Sequence, residues 1–445
     1  MTDYVRLGVL ASPRPNGVSM LDRSRPVVVI GQGYVGLPLA MRAVEVGYTV
    51  VGLDLDRVRI DALGDGRSFV EDISDATVRA ALDSGRYRAS ADYDTARDFG
   101  VAVITVPTPL KETLPDLSFI ESAAASLAPF VTPGATVVLE STTYPGTTEE
   151  LMVPLLEKGS GLTAGTDFFV GYSPERIDPG NPRWNFVNTP KVVSGIDADS
   201  LAHVDAFYSS LVERTVPVST PKEAELTKLL ENTFRHVNIA LVNELAVFAD
   251  ELDVNVWESI DAAATKPFGF MKFTPGPGVG GHCLPVDPSY LSWQVRRTLG
   301  KSFRFVELAN DVNENMPAYV VQRVIELLNA DRKALNGSTV LLAGVAYKKN
   351  SGDSRESPAL RIIQLLADFG ATVLAADPHV VEAQWPRTAE RRELTAETVA
   401  EADLVILVTD HDRFDFELLE RQAEAGAVTV FDTRNRLGNP SVHRL

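Results

Sequence analysis

The chain has 445 residues, of which 45% are hydrophobic, so it is long enough for two or three domains with sizeable cores. Asp and Glu outnumber Lys and Arg by 60 to 42, and the net charge of −18 argues against nucleic acid or an anionic membrane as the main partner. A single cysteine excludes an intramolecular disulfide, and no apolar run approaches the ~20 residues of a membrane-spanning helix. These features predict a cytoplasmic protein without membrane insertion.

The first ordered pattern in the chain predicts a strand, a tight turn, a helix and a second strand. The β-branched run Val27 to Ile30 leads into Gly31, Gly33 and Gly36, and Asp54 ends the second strand. In this spacing two glycines admit a pyrophosphate, the third lets helix and strand pack, and the helix N-terminus faces the anion. A carboxylate at the end of the second strand accepts ribose hydroxyls and repels a 2′-phosphate. The pattern predicts NAD binding; a glycine-rich turn without a ligand is the alternative.

Further strands are predicted in "GVAVITVPTP", "ATVVLESTT" and "DFFVGYSPE", each ending in small, polar or proline residues. In an open α/β sheet, ligands gather at the carboxyl ends of the strands. We therefore expect one cleft to be lined by the side chains that follow these strands: Thr108, Glu140, Thr142, Ser173 and Glu175.

The middle of the chain predicts a long helix. A segment without glycine or internal proline begins near Pro221, after a Thr220 cap. Lys228, Asn232 and Arg235 fall at i, i+4 and i+7, which places them on one face of that helix. Further helical patterns flank a loop rich in glycine and proline.

That loop, "PGPGVGGHCLPVDP", holds the only cysteine, Cys283. A lone cysteine is often a buried, inert residue, but main-chain N–H groups in a glycine loop can lower a thiol pKa and stabilise an oxyanion. Beside a bound NAD, a thiolate can add to an aldehyde, and water can cleave the thioester that forms after hydride loss. Asp287 is either a turn cap or a carboxylate that orients water or a lysine, and for His282 we favour a structural or substrate-contact role. The scattered histidines predict no metal site.

A second series of strands and helices begins at "STVLLAGVAYKKN" and lacks the glycine pattern, since Gly344 stands alone after its first strand. The sequence therefore predicts an α/β fold in which two Rossmann-like, doubly wound domains are joined by a long central helical spacer.

Several segments together resemble the UDP-glucose/GDP-mannose dehydrogenase family from about Pro26 to about Leu437: "GQGYVGLPLA", "VPTP", "ESTTYPGTT", "SPERIDPGN", "ELTKLLENTFRHVNIALVNE", "PGPGVGGHCLPVDP", "AYKKNSGDSRESPAL" and "FDTRN". The resemblance implies an NAD-dependent oxidation of a nucleotide-diphosphate hexose, of the kind that serves polysaccharide biosynthesis. The primary alcohol becomes a carboxylate through an aldehyde and a cysteine thioester, and two NAD molecules are reduced. The resemblance also implies a homodimer formed through the long helix.

The domain organisation implied by this resemblance has four parts. Residues 1–25 are a leader, and residues 26–218 form the NAD-binding Rossmann-like domain. Residues 219–330 form the central helical domain, which carries the dimer contact and the catalytic loop. Residues 331–445 form the Rossmann-like domain that binds the sugar nucleotide.

Site residues follow from the resemblance position by position. The catalytic set comprises a nucleophile, an oxyanion-stabilising pair, a general acid/base and two water-positioning residues: Cys283, Lys228 with Asn232, Glu175, and Asp287 with Thr142. The cofactor set comprises Gly31, Gly33, Tyr34, Val35, Gly36, Asp54 and Thr108, with Arg355 from the C-terminal domain. The substrate set comprises Arg176, Lys228, Asn232, Gly276, Gly280, Lys348 and Arg434.

The identity of the hexose is less sharply predicted. Arg176 stands where enzymes acting on UDP-glucose usually have an aromatic residue, and "TKPFGF" and "HCLPVDPSYL" resemble the UDP-N-acetylglucosamine type within a branch that also includes the UDP-N-acetylmannosamine type. UDP-glucose and thymidine diphosphate glucose are alternatives, because a few pocket side chains can decide between such sugars.

Two other classes of function are alternatives. A two-electron dehydrogenase, such as a 3-hydroxyacyl or 6-phosphogluconate enzyme, usually lacks the C-terminal α/β unit and the thioester cysteine, and it forms one NADH per substrate. A non-enzymatic NAD-binding regulator would not need Cys283, Lys228 and Glu175 together.

Overall fold

The computed structural model describes residues 22–70, 72–111, 114–177, 181, 183–281 and 283–445, and for residues 283–286 only the backbone. The predicted α/β fold with two doubly wound units joined by a long helix is confirmed. Among the helices of these residues, none combines the length and apolarity that crossing a bilayer requires.

The N-terminal unit contains a mostly parallel sheet with helices on both faces. Its strands are β1 (Val27–Ile30), β2 (Val50–Leu53), β3 (Tyr87–Ser90), β4 (Val101–Ile104), β5 (Leu110–Lys111), β6 (Leu114–Pro115), β7 (Thr136–Leu139), β8 (Phe169–Tyr172), β9 (Lys191–Gly195) and β10 (Thr215–Pro217). Its helices are α1 (Gly36–Glu45), α2 (Arg57–Gly64), α3 (Asp75–Asp83), α4 (Ser118–Leu127), α5 (Val153–Ser160) and α6 (Ala198–Ser209). The main sheet runs β10-β9-β8-β7-β4-β1-β2-β3, with β8 and β9 antiparallel, and β5 and β6 form a separate antiparallel pair.

The strand pattern explains why this sheet is buried on both faces. Successive side chains of a strand point to opposite faces. Val28 and Ile30 of β1 pack into one hydrophobic cluster, and Val27 and Val29 pack into another on the opposite face. The continuous apolar run in the sequence is therefore the signature of a two-sided core.

The spacer consists of α7 (Pro221–Glu251), α8 (Val256–Ala264), α9 (Cys283–Leu299) and α10 (Arg304–Ala330). Helix α7 begins where the sequence predicts, and the Thr220 hydroxyl accepts a hydrogen bond from the main-chain N–H of Lys222 at 3.2 Å. The start of α9 differs from the expected loop, because Cys283 is already its first residue. Pro285 stands in the first turn, where a missing N–H costs nothing, and Pro288 lies inside the helix.

The C-terminal unit is a second parallel sheet in the order β13-β12-β11-β14-β15-β16. Its strands are β11 (Thr339–Ala343), β12 (Thr372–Ala376), β13 (Glu390–Arg392), β14 (Leu404–Leu407), β15 (Thr429–Asp432) and β16 (His443–Arg444), and its helices are α11 (Pro358–Asp368), α12 (Ala396–Glu401) and α13 (Phe416–Glu424). Helix α10 of the spacer packs into the core of this unit through Met316, Val320 and Val324. The indole N–H of Trp257 in α8 donates to the carbonyl of Leu445 at 2.7 Å, which also fixes this unit to the spacer.

Candidate active site

Of the three glycines in the turn after β1, one borders open space in which a ligand can lie, and the other two are packed against protein atoms. Gly31 has φ +96°, and a Cβ there would lie 2.7 Å from the carbonyl oxygen of Thr105. A Cβ on Gly36 would lie 1.8 Å from the carbonyl oxygen of Gly31. A Cβ on Gly33 would meet nothing within 4 Å. Gly31 and Gly36 are therefore required by the fold, and Gly33 faces open space.

Helix α1 begins at this turn without a side-chain cap. Its N-cap residue is Val35, which has no side-chain acceptor, so the N-terminal N–H groups of the helix keep their capacity for an anion. Tyr34 beside it is 45% exposed. The combination of an open glycine and an uncapped helix end fits the pyrophosphate of NAD.

Asp54 lies at the end of β2, where the ribose of a dinucleotide is expected. Its carboxylate accepts hydrogen bonds from the main-chain N–H groups of Gln32 at 2.9 Å and Asp56 at 3.0 Å. Each oxygen keeps a further lone pair for a ribose hydroxyl. Arg59 lies 3.7 Å from the carboxylate.

The structure brings four of the expected catalytic residues together in pairs, of which one pair joins two side chains and the other joins a side chain to a main-chain carbonyl. The ammonium of Lys228 donates to the main-chain carbonyl of Glu175 at 2.7 Å. The amide of Asn232, one turn further along α7, donates to the carboxylate of Asp287 at 2.5 Å. All four residues are buried. Burial raises the pKa of Asp287 to about 6, although the Lys228 charge and the Asn232 hydrogen bond oppose the shift.

Cys283 and Asp287 are one turn apart in α9, so the backbone of the expected nucleophile lies beside this cluster. The side chain of Cys283 lies outside the described residues, as does the whole of His282. Helix α9 is also tied to the N-terminal unit, because the Tyr290 hydroxyl donates to the carbonyl of Thr108 at 2.8 Å. The strand end that is expected at the cofactor and the helix that begins with Cys283 are therefore joined directly.

The buried face of α7 differs from the sequence expectation in one residue. Lys228 and Asn232 are buried, whereas Arg235 is exposed, although seven residues are close to two full helical turns. His236, four residues after Asn232, continues the buried face and contacts Asn310 of α10 at 2.7 Å. The buried face drifts around the helix in steps of four residues, so Arg235 lies at its exposed edge.

The remaining strand-end residues divide between the cleft and the fold. The Ser173 hydroxyl donates to the carbonyl of Val192 at 2.7 Å, so it serves the packing of β8 on β9. Thr142 is partly exposed in the segment after β7. The neighbouring Thr143, which the sequence reasoning did not select, is fully buried and donates to the hydroxyl of Thr147 at 2.5 Å.

Glu225 is a further buried carboxylate that sequence reasoning missed. It accepts hydrogen bonds from the N–H of Gly146 at 2.5 Å, the N–H of Thr148 at 2.9 Å and the hydroxyl of Thr148 at 2.7 Å. Burial raises its pKa to about 7, against these three bonds. It lies three residues before Lys228, so it fixes the register of α7 against the turn after β7. In the sequence, Glu225 is one of several charged residues in a long helix, so no pattern indicated this role.

The expected sugar-nucleotide residues meet where the C-terminal unit packs against the glycine loop. The N–H of Gly276 donates to the Asn243 side chain at 2.9 Å, and a Cβ on Gly276 would lie 2.8 Å from the guanidinium of Arg434. A Cβ on Gly280 would lie 2.7 Å from the carbonyl oxygen of Glu356 and 2.8 Å from the Cβ of Tyr347, the residue before Lys348. The loop is therefore shaped by the C-terminal unit.

Arg355 reaches from the C-terminal unit towards the cofactor turn. Its carbonyl accepts a hydrogen bond from the N–H of Gly281 at 3.2 Å, and its guanidinium pairs with Asp353 at 2.7 Å. The hydrogen bond with Asp353 raises the pKa of Arg355 further, and the phenol of Tyr34 is close enough to add to the effect. Arg176 is held differently, by an ion pair with Glu231 of α7 and a 2.6 Å hydrogen bond to the carbonyl of Pro190.

Comparison with known families covers almost the whole chain. Residues 25–212 match the NAD binding domain of the UDP-glucose/GDP-mannose dehydrogenase family. Residues 222–315 match the central domain of that family, and residues 341–439 match its UDP binding domain.

Individual relatives agree with the family models. The chain is 38% identical to a UDP-N-acetyl-D-glucosamine 6-dehydrogenase of Pseudomonas aeruginosa over 358 residues, which is 80% of this chain and 83% of the relative. It is 34% identical to a UDP-N-acetyl-D-mannosamine dehydrogenase of Pyrococcus horikoshii over 389 residues, 87% of this chain and 90% of the relative. A solved structure of a UDP-D-ManNAc dehydrogenase from Pyrococcus horikoshii superposes with a TM-score of 0.84 at 33% identity, covering 93% of this chain and 96% of that one.

Proposed function

Since the chain belongs to the UDP-glucose/GDP-mannose dehydrogenase family and is an NAD-dependent oxidoreductase, we propose that it oxidises the primary alcohol of a UDP-N-acetylhexosamine to the uronic acid. The observation that carries this proposal is the buried set of Glu175, Lys228, Asn232 and Asp287, one helical turn from the backbone of Cys283 and tied to the cofactor side by Tyr290.

The proposed chemistry assigns each buried group a task. NAD, when bound, accepts a hydride in each of the two oxidations. The ammonium of Lys228 and the amide of Asn232 stabilise the negative charge on the reacting oxygen. Cys283 begins a helix, where the N-terminal dipole favours the thiolate. The thiolate adds to the aldehyde carbon, and after the second hydride has left the adduct is a thioester.

Hydrolysis of that thioester completes the reaction. Glu175 accepts a proton from water, the resulting hydroxide adds to the thioester carbonyl, and the carbon–sulfur bond breaks to release the acid and the Cys283 thiolate. Asp287 holds Asn232 in place, and with Thr142 it is placed to orient the water.

Among the candidate sugars we favour UDP-N-acetylglucosamine. Relatives named for N-acetylated sugars match more than three quarters of the chain. Arg176 offers a polar group near the cluster, since it follows Glu175 directly and its guanidinium is held by Glu231. A polar group suits an acylamino sugar better than the aromatic residue that the UDP-glucose enzymes usually have at this position.

The experiment is an NADH yield measured with limiting UDP-N-acetylglucosamine, UDP-N-acetylmannosamine, UDP-glucose and thymidine diphosphate glucose. We expect two NADH per sugar, with an N-acetylated sugar giving the highest kcat/KM. One NADH per sugar would contradict the thioester route and favour a two-electron dehydrogenase. The Cys283→Ser variant should lose acid formation and keep at most a slow first oxidation; full turnover by this variant would remove the proposed nucleophile.

We also propose that α7 pairs with its copy in a homodimer. Its apolar side chains include several that are 43% to 62% exposed and recur at intervals of three, four and seven residues: Leu226, Leu230, Phe234, Leu241, Leu245 and Phe248. A stripe of this kind on a long helix is the usual sign of a helix partner. Light scattering should give a dimer, and Leu230→Glu with Leu241→Glu should weaken it; a monomeric wild-type protein at working concentration would contradict the proposal.

A further inference from the structure

A buried ionic cluster lies at the ends of β7, β8 and β9, and the chemistry assigned above does not use it. The ammonium of Lys191 pairs with the carboxylate of Glu140 and donates to the carbonyl of Pro174 at 3.0 Å. The second oxygen of Glu140 accepts from the hydroxyl of Tyr208 at 2.5 Å. The side chains of Lys191 and Glu140 are 5% and 0% exposed.

This cluster touches the proposed general base. One oxygen of Glu175 accepts a hydrogen bond from the N–H of Ile177. The other, Oε2, is buried and has no hydrogen-bond partner among the described residues, and it lies 4.0 Å from the ammonium of Lys191. The ammonium of Lys228 bonds the main-chain carbonyl of Glu175 instead. Lys191 therefore faces the carboxylate oxygen that is left for a water molecule.

We propose that Lys191, fixed by Glu140 and Pro174, is a positioning residue that balances the negative charge of Glu175 and orients this carboxylate to take the proton from the hydrolytic water. The inference rests on the proposed function. A cation close to a buried carboxylate favours its charged form, which is the form that can accept a proton. If the ammonium of Lys191 donated a hydrogen bond directly to Oε2 of Glu175, that oxygen would be engaged by the lysine and not by the hydrolytic water.

Glu140 prevents that direct pair. The Glu140 carboxylate forms a close ion pair with the ammonium of Lys191, and the Glu175 carboxylate stays 4.0 Å from that ammonium. Burial raises the pKa of Glu140 to about 7, against the Lys191 charge and with help from the Glu175 charge. Among the described residues, further titratable groups close to Glu175 are Tyr172, Tyr208 and Lys228. The two tyrosines stay neutral, because burial raises their pKa values well above the usual range.

The test compares Lys191→Met and Glu140→Gln in the full-length protein, with the nucleotide sugar that gives the highest kcat/KM in the four-sugar assay. In Lys191→Met the cation is lost, so the acid limb of the kcat profile should move to higher pH by about one unit or more. In Glu140→Gln the cation is released towards Glu175, so the same limb should move to lower pH. Loss of packing alone cannot move the two profiles in opposite directions.

A second readout follows the step itself. At pH 7, Lys191→Met should release two NADH per site in a burst and then turn over at least about tenfold more slowly, because the thioester accumulates. Mass spectrometry of the quenched protein should show the acylated enzyme. Lys191→Arg keeps the positive charge and should therefore restore part of the steady-state rate, even if Lys191→Met folds poorly. Titration of each variant with NAD measures the fraction of the protein that is folded.

Lys222→Met is the matched control, because Lys222 makes an exposed pair with Glu150 and should leave the burst and profile unchanged. If both Lys191 variants showed the NADH burst and the pH profile of the wild-type protein, this inference would be overturned and the proposed function would stand. Shifts of the same sign in Lys191→Met and Glu140→Gln would also overturn it. No NADH from the wild-type protein with any of the four sugars would overturn the proposed function, and this inference with it.

Discussion

The two α/β units place the same residues at the same topological points and use them differently. In both units the first strand is followed by a glycine with φ near +95°, which is Gly31 in one and Gly344 in the other. A side chain has no space at either glycine, because a threonine after the neighbouring strand lies where the Cβ would be. In both, an aspartate follows the second strand, Asp54 and Asp377. Yet a helix begins five residues after Gly31 and remains uncapped, whereas the first helix of the C-terminal unit begins only at Pro358 and is capped by Ser357.

The aspartates show the difference most clearly. Asp54 accepts main-chain hydrogen bonds from Gln32 and Asp56 and keeps lone pairs for a ligand. Asp377 accepts five hydrogen bonds, from the N–H groups of residues 345, 346, 379 and 380 and from His411. The carboxylate of the first unit keeps the capacity to accept further hydrogen bonds, and the carboxylate of the second unit is used to hold the loop that carries Lys348.

The largest effect on the free energy of unfolding is expected from replacing Asp377, whose carboxylate accepts five hydrogen bonds. Asp377→Ala should lower the free energy of unfolding by about 3–5 kcal/mol, because it leaves His411 and four buried N–H groups without their acceptor. Asp54→Ala should cost less than half as much. Urea unfolding of both variants measures this, and equal losses would break the comparison.

Acid should have opposite effects on the contact between α7 and the N-terminal unit, made by Glu225, and on the C-terminal unit, which holds Asp377. The folded-state pKa of Glu225 is raised to about 7, so its contribution to stability is full below about 4.3 and is lost as the pH rises through about 7. Burial opposes ionisation of Asp377, but the hydrogen bonds from His411 and the main chain hold its pKa well below the usual range. Its contribution is therefore present above about pH 3.9 and is lost as the pH falls further.

The corresponding measurement is urea unfolding at pH 8 and pH 5.5. Glu225 should contribute on the order of 2 kcal/mol to the stability that the wild-type protein gains at the lower pH. Glu225→Gln should lack this contribution, and Glu223→Gln, an exposed neighbour on α7, should keep it. An unchanged gain in Glu225→Gln would show that this carboxyl is not the group that titrates.

A smaller effect is expected on cofactor choice. Asp54→Asn removes the charge that repels a 2′-phosphate and ends the 3.7 Å ion pair of Arg59 with Asp54, so Arg59 keeps only its pair with Asp56 at 3.3 Å and lies close enough to attract the phosphate. The ratio of kcat/KM for NADP to that for NAD should rise about tenfold. The matched Asp377→Asn variant should leave this ratio unchanged, and a shift there would mean that the second unit also contacts the cofactor ribose.

The smallest effect is expected at the open glycine. Gly33→Ala should raise the KM for NAD severalfold and leave the free energy of unfolding unchanged, because its Cβ meets no protein atom within 4 Å. Gly36→Ala, with a Cβ 1.8 Å from the Gly31 carbonyl, is the contrasting variant and should lose stability as well. Equal stability of the two variants would contradict the distinction between fold glycines and the ligand glycine.

Sequence patterns were sufficient where the information is local. The strands that were predicted, the glycine turn and the Thr220 cap of α7 follow from runs of a few residues and are present, whereas β3, β9 and β10 were not predicted. The pairs Glu140–Lys191 and Glu225–Thr148 join residues 51 and 77 positions apart, so no local pattern could reveal them. The exposure of Arg235 was not predicted either, because spacing alone does not decide which edge of a helical face is covered.

The proline-rich start of α9 was read as a loop for a related reason. Pro285 and Pro288 argue against a helix on local propensity, but the backbone is fixed by tertiary contacts on both sides. Tyr290 and Gln294 of this helix bond carbonyls of residues 108 and 145 in the N-terminal unit. Such contacts override propensity and become visible only in three dimensions.

The packing of Gly280 and Gly281 against Tyr347 has a consequence for the order in which the molecule matures. These glycines leave no space for a side chain because residues synthesised some 65 positions later occupy it. A nascent chain on the ribosome can complete its N-terminal unit early. The turn at Gly280 and Gly281 lacks the residues that it packs against until the first part of the C-terminal unit has emerged. The segment that leads towards Cys283 is thus shaped after the N-terminal unit and the spacer have been synthesised.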